Sequence, residues 1–152
     1  MSGARRPMLL TLPLAVIGLA VSGYLTYEHY SASTTLACPD TGAIDCVKVT
    51  SSAWSELVGV PVALLGLLYF VAVVALCLPA AWRSANPWVG RARLLALTGG
   101  VAMVLYLVWA ELFRIDAICL WCTVVHVVTV LLFGIVAVAA ALEVPAAHDR
   151  AL

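Results

Sequence analysis

Four apolar segments, separated by polar residues, divide this chain along its length. They extend from about residue 8 to 26, 60 to 82, 94 to 112 and 117 to 142. Each segment is close to the roughly 20 residues that a helix needs to cross the hydrocarbon core of a bilayer. Backbone polar groups inside lipid must bond to one another, so each segment is predicted to be a helix. The pattern therefore predicts an all-α membrane protein, a four-transmembrane-helix bundle that forms one domain over residues 1–152.

The composition agrees with a membrane protein and argues against a nucleic-acid-binding one. Hydrophobic residues make up 64% of the chain, charged residues make up 11%, and the formal net charge is zero. Soluble domains average about 45–50% apolar and about 25% charged residues, so much of this apolar surface must face lipid. Because the chain has no excess of basic residues, no nucleic-acid partner is expected.

The basic residues predict how the bundle is oriented in the membrane. Four crossings place six arginines on one side: Arg5, Arg6, Arg83, Arg91, Arg93 and Arg150. The other side has Lys48 and Arg114. Because basic residues in short loops stay in the cytoplasm, both termini are predicted to be cytoplasmic. The protein is therefore expected in the cell membrane, with the long loop between Tyr27 and Gly59 on the outer face.

A second amphipathic pattern lies inside the outer loop, between residues 51 and 59. Apolar side chains recur there at helical spacing from Trp54 to Val58, with polar side chains opposite them. This pattern predicts a short interfacial helix, which would lie along the membrane surface. Ser52 is its expected N-cap, and Gly59 is expected to end it.

The five cysteines indicate the chemistry. Cys38 and Cys46 lie in the outer loop, and Cys119 and Cys122 form a CxxC motif at the start of the fourth predicted helix. These four cysteines fall on the outer, oxidising side, where disulfides form and persist. A thiolate at a helix N-terminus is stabilised by free backbone N–H groups, which favours a reactive dithiol. Cys77 lies deep in the second segment, where a cysteine usually acts as a small apolar side chain.

Each cysteine pair also has a structural interpretation. The CxxC motif is compatible with a static disulfide or with half of a zinc site, and the loop pair could stabilise a long loop. The seven residues between Cys38 and Cys46 are an unusual spacing for zinc, so no metal is expected. Two pairs that meet at one membrane face favour a relay of thiol–disulfide exchange.

An ionisable residue inside the fourth segment, His126, is a further candidate. It shares a helical stripe with Cys119, Cys122, Thr129 and Phe133. Ionisable residues inside a membrane are often functional, although His126 could equally hold two helices together by a hydrogen bond. Electrons that leave a thiol at the edge of the hydrocarbon need a lipid-soluble acceptor, and a quinone meets this requirement. Haem is disfavoured because the stripe has one histidine and no paired axial ligand.

Five groups of residues match one known family. They are Tyr24–Tyr30; Cys38 with Cys46; Val47–Ser52; Gly59–Pro61 with Gly66 and Tyr69; and Asp116–Cys122 with His126. The match as a whole extends over about residues 18–129, and within it the loop pair precedes the CxxC motif. In these respects the chain resembles the vitamin K epoxide reductase family in its bacterial single-domain form.

The resemblance implies a four-helix bundle around a quinone, either menaquinone or ubiquinone. It implies that electrons pass from a partner dithiol through the two cysteine pairs to this quinone, which promotes disulfide formation in exported proteins. The expected partner is a separate thioredoxin-like thiol oxidase. By position, Cys38 would meet the partner, Cys46 would attack Cys119, and Cys122 would face the quinone.

The resemblance also implies that Ser52, Cys122 and His126 belong to the quinone site. Many relatives have asparagine directly after the Gly-x-Pro sequence, where this chain has Val62. Valine cannot make the hydrogen bond of that asparagine to a quinone carbonyl, so His126 becomes the favoured hydrogen-bond partner of the quinone. A second class of function stays open, in which the chain is a non-enzymatic membrane scaffold with structural disulfides. A transporter is less favoured because few polar groups lie near mid-bilayer.

Overall fold

The structure is a computed structural model that describes residues 5–31, 37–39 and 41–148. Its elements, in chain order, are α1 (Arg5–Ser31), α2 (Cys46–Thr50), a 3-10 turn (Ala53–Ser55), β1 (Glu56–Leu57), β2 (Val60–Pro61), α3 (Val62–Cys77), α4 (Pro79–Trp82), α5 (Pro87–Ala110), a π-helical turn (Glu111–Ile115) and α6 (Leu120–His148). Some of the arginines on which the predicted membrane orientation depends cannot be compared with the structure. Arg150 and the side chains of Arg5 and Arg6 lie outside the described residues.

Three of the described helices are long and apolar enough to cross a membrane. Their candidate spans are Pro7–Ser31 in α1, Pro87–Ile115 in α5 with the π-helical turn, and Leu120–Leu142 in α6, of 25, 29 and 23 residues. These lengths meet the requirement of roughly 20 apolar residues for one crossing. The expected class, a helical membrane protein, is therefore confirmed.

The second predicted helix is divided in the structure. α3 is apolar but has 16 residues, and the chain is extended at Leu78 before α4 begins at Pro79. Proline disfavours the helical conformation of the residue before it, which explains the break at Leu78. At its other end, Val60 and Pro61 form a strand instead of the first helical turn. The number of crossings therefore stays a prediction.

The interfacial helix expected over residues 51–59 is not confirmed. The segment forms a 3-10 turn followed by the antiparallel hairpin of β1 and β2. The hairpin turn consists of Val58 and Gly59, with φ of 55° and 77°, and two positive φ angles are typical of tight hairpins. Ser52 precedes the 3-10 turn but makes no side-chain cap, because its hydroxyl donates to the Val49 carbonyl at 2.8 Å.

The long helices pack around an apolar core. α1 contacts α3 and α6, and α5 contacts α6 and α3. Phe70, Leu97 and Leu132, at most 1% exposed, extend into the core from α3, α5 and α6. Gly18 brings α1 close to α3, because a Cβ there would overlap the Phe70 ring. Cys77 is also fully buried in this core and is a free thiol, which agrees with its expected apolar role.

Candidate active site

Four of the five cysteines form two disulfides. Cys38 bonds to Cys46, and Cys119 bonds to Cys122, with Cα–Cα distances of 6.1 and 5.2 Å. These pairs are the loop pair and the CxxC motif of the sequence. In the described part of the chain, no group of three or more His, Cys, Asp or Glu side chains could hold a metal ion.

The residue before each loop cysteine is tied to the start of α6. Before Cys46, the Asp45 N–H donates to the Ile118 carbonyl at 3.1 Å, within a parallel bridge between residues 44 and 118. Before Cys38, the Ala37 carbonyl accepts the indole N–H of Trp121 at 3.0 Å. These two tethers hold both ends of the loop disulfide next to the CxxC motif.

The two disulfides belong to one buried cluster. Cys46 and Cys119 are its innermost cysteines, 1% and 0% exposed, whereas Cys38 and Cys122 are partly buried against it. Cys38 borders a surface groove of about 380 Å³ that Pro39 and Lys48 also line. The cysteines therefore extend from a surface groove, through the buried cluster, to the first turn of α6.

Cys119 lies directly before the first residue of α6, at the position that caps the helix. Its Sγ accepts the backbone N–H of Cys122 at 3.2 Å, and its carbonyl accepts the N–H of Thr123 at 2.9 Å. The first N–H groups of a helix have no partner inside the helix, and they stabilise negative charge. A thiolate on Cys119, formed when the disulfide is reduced, would therefore be stabilised where it is produced.

Glu111 lies beside the CxxC motif, although the sequence identified it only as an acidic residue of the outer face. It begins the π-helical turn that ends at Ile115, and the chain then reverses through Asp116, which has φ of 53°. This reversal turns Glu111 towards α6, and its carboxyl accepts a hydrogen bond from the backbone N–H of Cys119. The side chain is 6% exposed.

A cavity of about 400 Å³ lies between α1, α3, α5 and α6. Most of its wall is apolar, and its polar or reactive side chains are Ser22, His29, Thr50, Ser55, Tyr69, Glu111, Cys122, His126 and Thr129. Among the described residues, Cys122 is the one cysteine that lines it. The CxxC motif therefore borders the closed cluster through Cys119 and the cavity through Cys122.

The structure places the predicted quinone-site residues unequally. Cys122 and His126 line the cavity, and His126 is 7% exposed. Ser52 does not line it, whereas Ser55, three residues later, does. Val62, directly after the Gly-x-Pro sequence, contributes an apolar side chain to the wall. The predicted role of Ser52 therefore has no support from this geometry.

The cavity has the properties of a site for a small apolar ligand with polar oxygens. Its volume falls in the usual range for ligand sites, about 300–1,000 Å³. The Tyr69 hydroxyl is buried and has no hydrogen-bond partner among the described residues. A buried hydroxyl without a partner is energetically costly, so a ligand oxygen would stabilise it. A quinone, with an apolar ring and two carbonyls, fits this wall, and Tyr69, His126 and Cys122 are the residues that would hold it.

Comparison with known families agrees with the sequence resemblance. The chain matches the sequence model of the vitamin K epoxide reductase family over residues 9–137. The matched range includes both disulfides and extends from α1 into α6.

Proposed function

The chain belongs to the vitamin K epoxide reductase family, and we propose that it is a membrane thiol–disulfide oxidoreductase that transfers electrons from a protein dithiol to a quinone. One observation carries this proposal: two disulfides share one buried cluster, and the second also borders an apolar cavity. Serial thiol–disulfide exchange requires two disulfides that lie close enough to react with each other, and this cluster provides them.

The first exchange takes place at the outer groove. A thiolate of the partner attacks Cys38 and releases Cys46, and the second partner thiol then displaces Cys38. The partner leaves with a disulfide, and the loop pair is left as a dithiol. Cys38 is the more accessible member of its pair, which supports its role as the point of attack.

The second exchange takes place inside the cluster. The Cys46 thiolate attacks Cys119 and releases Cys122, whose sulfur borders the cavity. Cys38 then displaces Cys119 from Cys46, which restores the loop disulfide and leaves Cys119 and Cys122 as a dithiol. A quinone held in the cavity would supply the two-electron acceptor, to which this dithiol would give up two electrons and two protons. The N-terminal N–H groups of α6 stabilise the Cys119 sulfur as it leaves Cys46, and this sulfur takes up the proton that Cys38 loses, so the product is a dithiol.

The proposed orientation has four crossings, cytoplasmic termini and the cysteine pairs on the outer face. α3, with 16 residues, covers about 24 Å by helical rise, and α4 continues the chain towards the proposed cytoplasmic face. The Arg93 guanidinium secures this end of α3, since its Nε donates to the Leu76 carbonyl at 2.8 Å. It also lies over the Trp82 ring at 3.7 Å.

The proposed partner is a separate thioredoxin-like thiol oxidase that acts on exported proteins. The groove beside Cys38 is open to a protein partner, and Lys48 on its rim is exposed. The acceptor is menaquinone or ubiquinone, since both present the ring and carbonyls that the cavity fits. The alternative, a scaffold with structural disulfides, does not require Cys122 to border a ligand-sized cavity.

The test uses the purified protein in nanodiscs with a reduced thioredoxin-like protein and either quinone. Quinol formation is followed by absorbance, and partner thiols are counted by alkylation. We expect partner oxidation that depends on quinone and is lost in Cys122→Ser. A partner that stays reduced while both disulfides remain intact would instead support the scaffold.

A further inference from the structure

Glu111 occupies a position that the relay itself does not explain. The carboxyl is 6% exposed and is the one acidic group that lines the cavity among the described residues. Burial of a carboxyl group costs free energy unless the group has hydrogen-bond partners, so a carboxyl in an apolar wall suggests a function. It contacts both parts of the site, because it accepts the Cys119 N–H and also faces the cavity that Cys122 borders.

The proposed reaction has a proton problem at Cys119. When a quinone is reduced by the dithiol, the S–H bonds of Cys119 and Cys122 break and one S–S bond forms. Two O–H bonds form on the quinone, which gains the two electrons that the dithiol loses. Cys119 is 0% exposed, so its proton cannot pass directly to water. An internal group has to take it.

We propose that Glu111 is this group, a catalytic proton carrier between the Cys119 thiol and a quinone oxygen; the inference rests on the proposed function. The Glu111 carboxylate accepts the proton from Cys119 Sγ and releases it to one quinone oxygen, so that it ends each cycle unchanged. The second proton comes from the Cys122 thiol. The hydrogen bond from the Cys119 backbone N–H holds the carboxyl at the residue whose thiol has to lose the proton.

The other ionisable groups of the wall are less well placed for this proton. His126 lies on α6, one helical turn beyond Cys122, and no bond between it and Cys119 is present among the described contacts. Tyr69 and His29 belong to α3 and α1. Glu111, in contrast, accepts a hydrogen bond from the backbone of Cys119, the residue that must lose the proton. His126 and Tyr69 are therefore left to orient the quinone.

Glu111→Gln tests the proposal. An amide oxygen can still accept the Cys119 N–H, but an amide cannot carry a proton at neutral pH. We expect quinol formation to slow by about 10²-fold or more, the usual contribution of a general acid–base group. Under turnover with partner and quinone, Cys119 and Cys122 should accumulate as a dithiol, measured by mass-tag alkylation. Without quinone, the partner should reduce the loop pair at the wild-type rate.

Two variants serve as controls. Glu56→Gln removes an exposed carboxyl from β1 and should change none of these measurements. Glu111→Asp keeps a carboxyl and should recover part of the quinol rate that Glu111→Gln loses, even if both variants are less stable.

Three outcomes separate the inference from the proposed function. Wild-type rate and redox distribution in Glu111→Gln would overturn the inference. Equal losses in Glu111→Gln and Glu111→Asp, with slow exchange in the absence of quinone, would overturn it in favour of a structural role. A wild-type protein that never reduces quinone would instead refute the proposed function.

Discussion

The indole N–H of Trp121 donates to the carbonyl of Ala37, at 3.0 Å, and so joins the middle of the CxxC motif to the residue before Cys38. The two residues are 84 positions apart in sequence. The same indole ring makes an edge-type contact with the Tyr24 ring of α1, with ring centroids 5.2 Å apart. Trp121 thus connects the CxxC motif, the residue before Cys38 and the first helix.

Trp121→Phe should remove the hydrogen bond to Ala37 while an aromatic ring still fills the position of the indole. Phenylalanine keeps an apolar ring but has no N–H donor, and a hydrogen bond of this kind contributes about 1 kcal/mol. We expect transfer from a reduced loop pair to the Cys119–Cys122 disulfide to slow by about fivefold, measured by rapid alkylation in single-turnover experiments. Trp88→Phe, on an exposed side chain at the start of α5, is the matched control. An unchanged transfer rate in Trp121→Phe would show that the tether is not needed for exchange.

Replacement of either CxxC cysteine should abolish activity. Cys119→Ser or Cys122→Ser removes half of the dithiol that reduces the acceptor, and serine cannot replace a thiol in exchange. Cys77→Ser should retain most of the activity, because this free thiol is buried in the apolar core away from the disulfides. Quinol formation by the purified variants provides the measurement. Equal loss in all three variants would indicate a defect in folding.

The order of the relay can be trapped. In a Cys38→Ser, Cys122→Ser double variant, the mixed disulfide of Cys46 and Cys119 has no free thiol to resolve it. Both remaining cysteines belong to one buried cluster, so we expect this bond to accumulate. Peptide mapping under non-reducing conditions identifies it. Cys46 and Cys119 recovered without a bond between them would reject the order but not the fold.

The proposed orientation predicts where reporters are active. A reporter inserted near Gly42 should be active only outside the cytoplasm, whereas one within Arg83–Arg93 or after Leu152 should be active only inside. The uneven distribution of basic residues motivates this prediction. Enzymatic and fluorescent reporters with opposite compartment requirements provide the measurement. The reverse pattern would refute the orientation.

Two glycines of α5 offer a matched test of the cavity. A Cβ at Gly100, which lines the cavity, would overlap the Tyr69 hydroxyl, whereas a Cβ at Gly90, which does not line it, would meet nothing within 4 Å. Gly100→Ala should displace Tyr69 from the wall and raise the KM for quinone by about tenfold, as expected from an overpacking cost of about 1–3 kcal/mol. Gly90→Ala should leave KM nearly unchanged. The measurement is the quinone dependence of quinol formation, and equal KM values for both variants would place the quinone elsewhere.

Local chemistry determined much of this protein before any tertiary contact was considered. Long apolar stretches impose helices, because lipid offers no partner for backbone groups. The two cysteine pairs could be recognised from the spacing of the cysteines and from the membrane side predicted for them. Both of these clues come from residues that are close together in the sequence. The buried, unreactive position of Cys77 also follows from its place within an apolar segment.

The segment around Val58 was predicted to be a helix but forms a hairpin turn, and the reason can be identified. A β-branched residue disfavours positive φ, so Val58 gives no signal of a hairpin turn, whereas apolar spacing suggested a helix. Ser52 illustrates the same limit, since its hydroxyl bonds to a nearby carbonyl and Ser55 lines the cavity instead.

The arrangement of the site itself depends on contacts between residues far apart in the chain. Asp45 meets Ile118, and Trp121 meets Ala37, only after the helices have packed. Glu111 reads in the sequence as one more acid at a helix end, because its relation to Cys119 is created by the π-helical turn and the reversal at Asp116. The sequence by itself therefore determined the helices and the reactive sulfurs, whereas tertiary packing decided which groups surround each sulfur, since no local pattern encodes a partner that only folding brings near.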